Sequence, residues 1–184
     1  MNYLDKIKKL IGKLSLKRNL RKNNRQVKVH NFNSAQTVGI IFNSPDEASF
    51  TIVKNFLSFL ANNNLKVFAL GFVPEKKIPE NLLLRKGINF FCKKDLNWFY
   101  KPKNEVIHQF MQQHFDILID LSLKEYFPLY YIGQLSEASF KIGKQSENYQ
   151  YQDLMIDIGK NHSIEYLIEQ IKHYLTLINQ KNYE

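Results

Sequence analysis

Residues Phe115–Lys144 read FDILIDLSLKEYFPLYYIGQLSEASFKIGK. Ile117–Leu121 is a short apolar run without polar alternation, the pattern of a strand covered on both faces. A turn follows, then an apolar helix over about Pro128–Ser136, then a second strand at Phe140–Gly143. This is one strand–helix–strand unit, and the rest of the chain repeats its logic on either side.

Upstream, Thr37–Asn43 (TVGIIFN) is a second unalternating strand. The turn Asn43-Ser44-Pro45-Asp46 offers Ser44 or Asp46 as a helix cap. The helix it starts, Glu47–Asn62, buries Phe50, Val53, Phe56, Leu57 and Leu60 and stops at Asn62-Asn63-Asn64. Lys66–Gly71 is the next strand, and a right-handed crossover makes the pair parallel. After a looser stretch with Pro74, Pro79 and a short helix over 81–86, Ile88–Cys92 is a third strand. Lys93–Lys103 is a loop holding Trp98, the single tryptophan, and Asn104–His114 is a helix. Downstream, Leu154–Ile158 is a sixth strand and Ser163–Asn179 a closing helix, with Ser163 as its cap. Gln145–Gln152 is too short for a crossover helix, so the sixth strand either runs antiparallel or arrives over a short edge connection. Strands alternating with helices predict a Rossmann-like, doubly wound α/β domain with a mostly parallel sheet of five to six strands. The domain covers 34–184, preceded by a basic helix and linker over 1–33.

The 184 residues suit one domain, and a hydrophobic fraction of 44% fills one core. Cys92, the single cysteine, excludes an internal disulfide and fits a core position in a reducing compartment. No apolar run is long enough to span a bilayer, and no secretory signal is visible. A cytoplasmic protein is expected, peripheral at the inner membrane face if its helix binds lipid.

The net charge of +9 is confined to one place. Residues 1–28 carry ten Lys or Arg and one acid, so the other 156 residues, with sixteen of each sign, are neutral. In the helix over 3–22, Leu4, Ile7, Leu10, Ile11 and Leu14 fall on one stripe, which Leu16 and Leu20 extend less regularly. Lys6, Lys9, Lys13 and Lys17 lie on the other side, with Arg18 and Arg21 near its end. Three readings stay open: the helix lies on an anionic membrane surface, it contacts RNA phosphates, or its apolar stripe docks on the domain and leaves a solvated basic face. Apart from Tyr3, no aromatic residue interleaves with the basic ones, which counts against base stacking.

In a doubly wound fold, ligands bind beyond the carboxyl ends of the strands. The polar residues expected there are Asn43, Ser44 and Asp46 after the first strand, Asp120 and Ser122 after the fourth, and Asp157 after the sixth. A carboxylate late in a buried strand needs a partner. Asp120 therefore either caps a turn or helix, pairs with Lys124 or Lys141, or serves a ligand. The sequence lacks a glycine-rich dinucleotide fingerprint, a phosphate-binding Walker sequence, C-x-x-C, H-E-x-x-H and G-x-S-x-G. No metal site and no cofactor are indicated.

Two resemblances add to this. Asp116, Ile119, Asp120, Leu121, Ala138, Ile142 and Gly143 resemble the strand–helix–strand in the N-terminal domain of heptosyltransferase-type glycosyltransferases. Those enzymes hold the sugar nucleotide mainly in a second domain, for which this chain is too short. The whole chain also resembles an uncharacterised bacterial family of short proteins with a basic first helix. That match rests on Asn31–Phe42, Ile119–Ser122 and Asp153–Asp157, and it implies no activity. The expectation is a binding or adaptor module whose basic helix contacts an acidic surface. The alternative is an enzyme or binding domain for a nucleotide- or sugar-like ligand at the strand edge.

Overall fold

The strand that opens the quoted stretch, β4 (Ile117–Asp120), lies in mid-sheet beside β1 (Thr37–Asn43). A computed structural model of the chain describes residues 3–43 and 46–178. On the far side of β1 come β2 (Lys66–Val73) and β3 (Ile88–Cys92). Beyond β4 come β5 (Phe140–Lys144) and β6 (Leu154–Ile156), giving the order β3-β2-β1-β4-β5-β6. Every neighbouring pair is parallel, with Val38 opposite Ile117 and Ile41 opposite Asp120 at the β1–β4 seam. The fold is the expected Rossmann-like α/β sheet. The sixth strand is parallel and arrives over a nine-residue connection, 145–153, that contains no helix.

Two apolar layers sandwich the sheet. On one face, α2 (Glu47–Asn62) and α6 (Ile164–Leu177) press Phe50, Val53, Phe56, Leu60, Leu167 and Ile171 onto Val38, Ile40, Ile117, Ile119 and Ile142. On the other, α4 (Glu105–Gln112) and α5 (Phe127–Leu135) press Ile107, Phe110, Leu129 and Ile132 onto Ile41, Leu70, Phe91 and Leu118. The short α3 (Glu80–Leu83) follows β2. Cys92 is buried in the core, as expected.

Asp46 is the cap of α2, its carboxylate accepting from the Ser49 amide and hydroxyl at 2.9 and 3.1 Å. Ser163 caps α6 through the Tyr166 amide. Ser44 and Pro45, with the expected end of the last helix at Asn179, lie outside the described residues. At the opposite edge, Asp116 ties β4 to β1 by accepting from Gln36 N, Thr37 N and Thr37 Oγ1 at 2.7, 2.9 and 3.0 Å. Burial pushes that carboxyl up, but the three donors and His30 together outweigh it and leave it below its ordinary value.

The first helix, α1 (Tyr3–Leu20), packs against α5. Its docked side is not the apolar stripe. Gly12 and Leu16 are buried, and Gly12 sits so close to Phe127 that a Cβ there would lie 2.6 Å from the ring and 2.7 Å from the Phe99 carbonyl. Polar pins flank that contact: Tyr100 donates to Asp5 at 2.5 Å, and Asn19 donates to the Tyr131 hydroxyl at 2.6 Å. Tyr100 takes up a left-handed backbone (φ 66°), rare for a side chain of this size. Leu4, Leu10 and Leu14 are left 61, 59 and 61% exposed, with Tyr3 and Ile7 also exposed. The helix thus docks on the body, as one reading held, but through Gly12, Leu16 and Leu20 and not through the stripe Leu4–Leu14. The body takes the face built around Asp5, Gly12, Leu16 and Asn19, because only glycine lets the helix backbone approach Phe127.

The linker is held as well. Arg25 donates to the carbonyls of Ala138 and Ser139 and pairs with Asp153, while Asn31 Nδ2 donates to Ile178 O.

Candidate functional site

Asp120 ends β4, opposite Ile41 of β1 on one side and Gly143 of β5 on the other. Its Oδ1 accepts from Ser122 N at 2.8 Å, closing a turn, and its Oδ2 accepts from the Tyr151 hydroxyl at 2.5 Å. Lys141, offered by the sequence as a partner, instead donates from Nζ to Gln134 O. Lys144 is the cation whose field reaches Asp120. Burial drives the Asp120 carboxyl up, opposed by Ser122, Tyr151 and Lys144. Burial and the adjacent carboxylate drive the Tyr151 phenol well up, so the phenol keeps its proton and donates it. The Ser122 hydroxyl lends the carboxylate some support, yet it is buried and makes no hydrogen bond of ordinary geometry.

Two glycines make room for this arrangement. A Cβ at Gly133 would lie 2.2–2.6 Å from the Tyr151 ring and hydroxyl, so the phenol can lie on α5 only over a glycine. A Cβ at Gly143 would meet Asp120 at 3.0 Å.

The segment 145–153 carries the rest of the site. Tyr149 stacks on Tyr130 of α5, with centroids 4.7 Å apart and planes at 25°. Glu125 reaches across before α5, its Oε1 accepting from Ser146 Oγ at 2.6 Å and its Oε2 from Asn148 Nδ2 at 2.9 Å. Burial raises this carboxyl, but the Ser146 and Asn148 donors, with help from Lys144, hold it below its ordinary value. Above Glu125 and Tyr149 lies a cleft of about 410 Å³ whose far wall is α1, through Lys6, Lys9, Leu10 and Lys13. It adjoins a small chamber over Asp120, Ser122 and Lys144.

The strand-edge residues expected from sequence do not share one cavity. Asp120 and Ser122 line the chamber on the α5 side. Asn43 and Asp46 line a separate hollow of about 180 Å³ with Leu121, Lys124 and Ile164. Asp157 is exposed, and its carboxylate accepts from Gly159 N at 2.7 Å. Ser44 lies outside the described residues. Of the basic residues, Lys6, Lys9 and Lys13 wall the cleft, while Lys17, Arg18 and Arg21 are exposed along and just past α1. Glu125, Tyr130, Tyr149 and Tyr151 are additions from the structure. The tyrosine pair Tyr149-Gln150-Tyr151, in a segment too short for a helix, was the one signal that could have drawn attention to them. Among the described residues no group of three His, Cys, Asp or Glu is placed to hold a metal ion.

A family described only as one of unknown function (DUF6913) matches residues 8–178, from the first half of α1 to the end of α6. The chain belongs to this family. The DUF6913 match takes in both walls of the cleft apart from Lys6. No curated protein and no solved structure matches the chain. The comparisons do not show the glycosyltransferase resemblance expected from sequence, and residues that suggested it have structural work here: Asp116 bolts β4 to β1, Gly143 gives Asp120 room, and Ala138 is core.

Proposed function

We propose that this protein is a peripheral binding module that settles on anionic lipid through α1. The observation that carries this reading is the apolar stripe Leu4–Ile7–Leu10–Leu14, exposed on a helix already fixed to the domain by its opposite side. An amphipathic helix without a second partner would turn its apolar stripe to the core. Here the core side is taken by a glycine and polar pins. Exposed Lys6, Lys13 and Lys17 run alongside the stripe, in the arrangement that places leucines at the acyl boundary and ammonium groups among the headgroups. Among the described residues no helix is long and apolar enough to cross a membrane, so the contact is one of lying on the surface. RNA binding by the same lysines would leave the apolar stripe without a role.

Co-sedimentation with vesicles tests this. The full chain is expected to pellet with phosphatidylcholine vesicles containing phosphatidylglycerol, but not with phosphatidylcholine alone, and less so as salt rises. The pair Leu4→Glu and Leu14→Glu should abolish pelleting while leaving the thermal midpoint in place. A wild-type chain that stays in the supernatant, or a double variant that pellets equally well, refutes the reading.

A further inference from the structure

The cleft between α1 and the 145–153 segment combines three kinds of group that a bare surface does not bring together. Lys6 and Lys13, with Lys9, put ammonium groups on one wall. Glu125 faces them from the floor, immobilised by Ser146 and Asn148, and each of its oxygens retains acceptor capacity beyond the bond it already makes. Beside it Tyr149, stacked by one face on Tyr130, is overhung on the other by Lys13, whose Nζ lies 6.0 Å from the ring centroid, and its ring edge borders the cleft. A bare anion would gain from the lysines but be repelled by Glu125. A neutral sugar would gain from Glu125 and the ring but leave the lysines unused. A molecule with a phosphate at one end and ring hydroxyls at the other satisfies all three.

We infer that this cleft binds a phosphorylated polyol, with its phosphate on Lys6 and Lys13, its hydroxyls on Glu125 and its ring beside the edge of Tyr149. The cavity, about 410 Å³, has room for a sugar phosphate or for an inositol-type lipid headgroup. Hydroxyls donating to a fixed carboxylate give charge-assisted bonds, about twice as strong as neutral ones. The inference holds whether or not α1 rests on lipid.

Calorimetric titration of the full chain at low salt tests it, with ribose 5-phosphate, ribose and inorganic phosphate as probes. Ribose 5-phosphate is expected to bind at least tenfold more tightly than either of the others. Lys6→Gln with Lys13→Gln should cost that probe tenfold or more, and Glu125→Gln should erase its advantage over inorganic phosphate. All three residues are exposed, so the variants keep the fold, and unchanged thermal midpoints verify this. The Leu4→Glu, Leu14→Glu chain should still bind ribose 5-phosphate, which separates this inference from the lipid reading. Vesicles provide the second arm: tighter binding to phosphatidylinositol than to phosphatidylglycerol at equal charge, without binding of ribose 5-phosphate, places the polyol on a lipid. Failure of both arms, or binding of ribose 5-phosphate and inorganic phosphate with equal measurable affinity, overturns the inference.

Discussion

Lys141 is 2% exposed on β5, and its ammonium group has one hydrogen-bond partner of its own, the carbonyl of Gln134 in the last turn of α5. Burial, and then the Arg25 guanidinium, push its pKa from 10.5 down to about 7, while Asp153 works weakly the other way. A lysine depressed in this way binds its proton more readily in the unfolded chain than in the folded one. Its contribution to stability is complete above pH 10.5 and is lost as pH falls towards 7. Integrating the difference in bound protons from pH 6 to pH 9, with those two values, gives about 3 kcal/mol of stability gained by the wild type. Replacing Lys141 with Met keeps the length, removes the charge and forfeits one hydrogen bond, a pH-independent loss of about 1 kcal/mol.

Urea denaturation of both chains at pH 6, 7, 8 and 9 isolates the effect, because every other titrating group cancels in the difference. The range stops at pH 9 so that Tyr100, Tyr149 and Tyr151, all raised in the fold, stay protonated in both states. Lys141→Met should be the more stable chain at pH 6. The wild type should then gain on it by about 2–3 kcal/mol towards pH 9. A difference that is flat across the range, or that moves the other way, refutes the placement of a buried, depressed amine at this position.

The lipid and sugar-phosphate outcomes above are joined by two packing predictions. Gly12→Ala should raise the helix propensity of α1 by about 1 kcal/mol, yet it should cost a net ~1–3 kcal/mol because the new methyl meets Phe127 and the Phe99 carbonyl. Hydrogen exchange of the α1 amides would report the undocking, and full protection at an unchanged midpoint would contradict it. Gly133→Ala should drive the Tyr151 ring off α5, strip Asp120 of its phenolic donor and cost ~1–3 kcal/mol. The same substitution made after Tyr151→Ala should be nearly silent. Equal costs in both backgrounds would show that the two residues are not coupled.

The strands were legible because burial on both faces leaves them unbroken apolar runs, as in TVGIIFN and ILID. The long helices that cover them were legible because their stripes match the spacing of a single buried face. Asp120 was legible as a charge needing a partner, but Tyr151 was not, since it arrives from 31 residues away on a segment without periodicity. The division of the residues after β4 between two cavities follows from the pleat. Beyond β4 the side chains keep alternating, so Asp120 and Ser122 follow Leu118 to the α5 side, while Leu121 and Leu123 follow Ile119 to the α2/α6 side. Residues adjacent in sequence at the sheet edge therefore open into different cavities.

The first helix shows the limit of periodicity most sharply. Spacing reveals that a stripe exists; it does not say which surface meets it. On α1 the stripe and the docked face are different sides of one cylinder, and the docked face reads poorly because its key residue is a glycine, normally a weak point in a helix. This division bears on energetics. A flexible amphipathic segment must fold as it binds a bilayer and loses chain entropy in doing so. Here α1 is already helical and pinned at Asp5, Gly12 and Asn19, so that loss has been met by the domain. Burying a leucine side chain fully gains about 1.5–3 kcal/mol, and each lysine at an anionic surface adds about 1 kcal/mol. On the proposed lipid reading, three leucines, an isoleucine and three flanking lysines would supply enough for attachment without a spanning helix, in a form that salt weakens. Salt acts on the lysine share alone. Binding that persists at high ionic strength would measure the leucine share, and Leu4→Glu with Leu14→Glu, which also sets two carboxylates beside the lysines, should abolish pelleting at low and high salt alike.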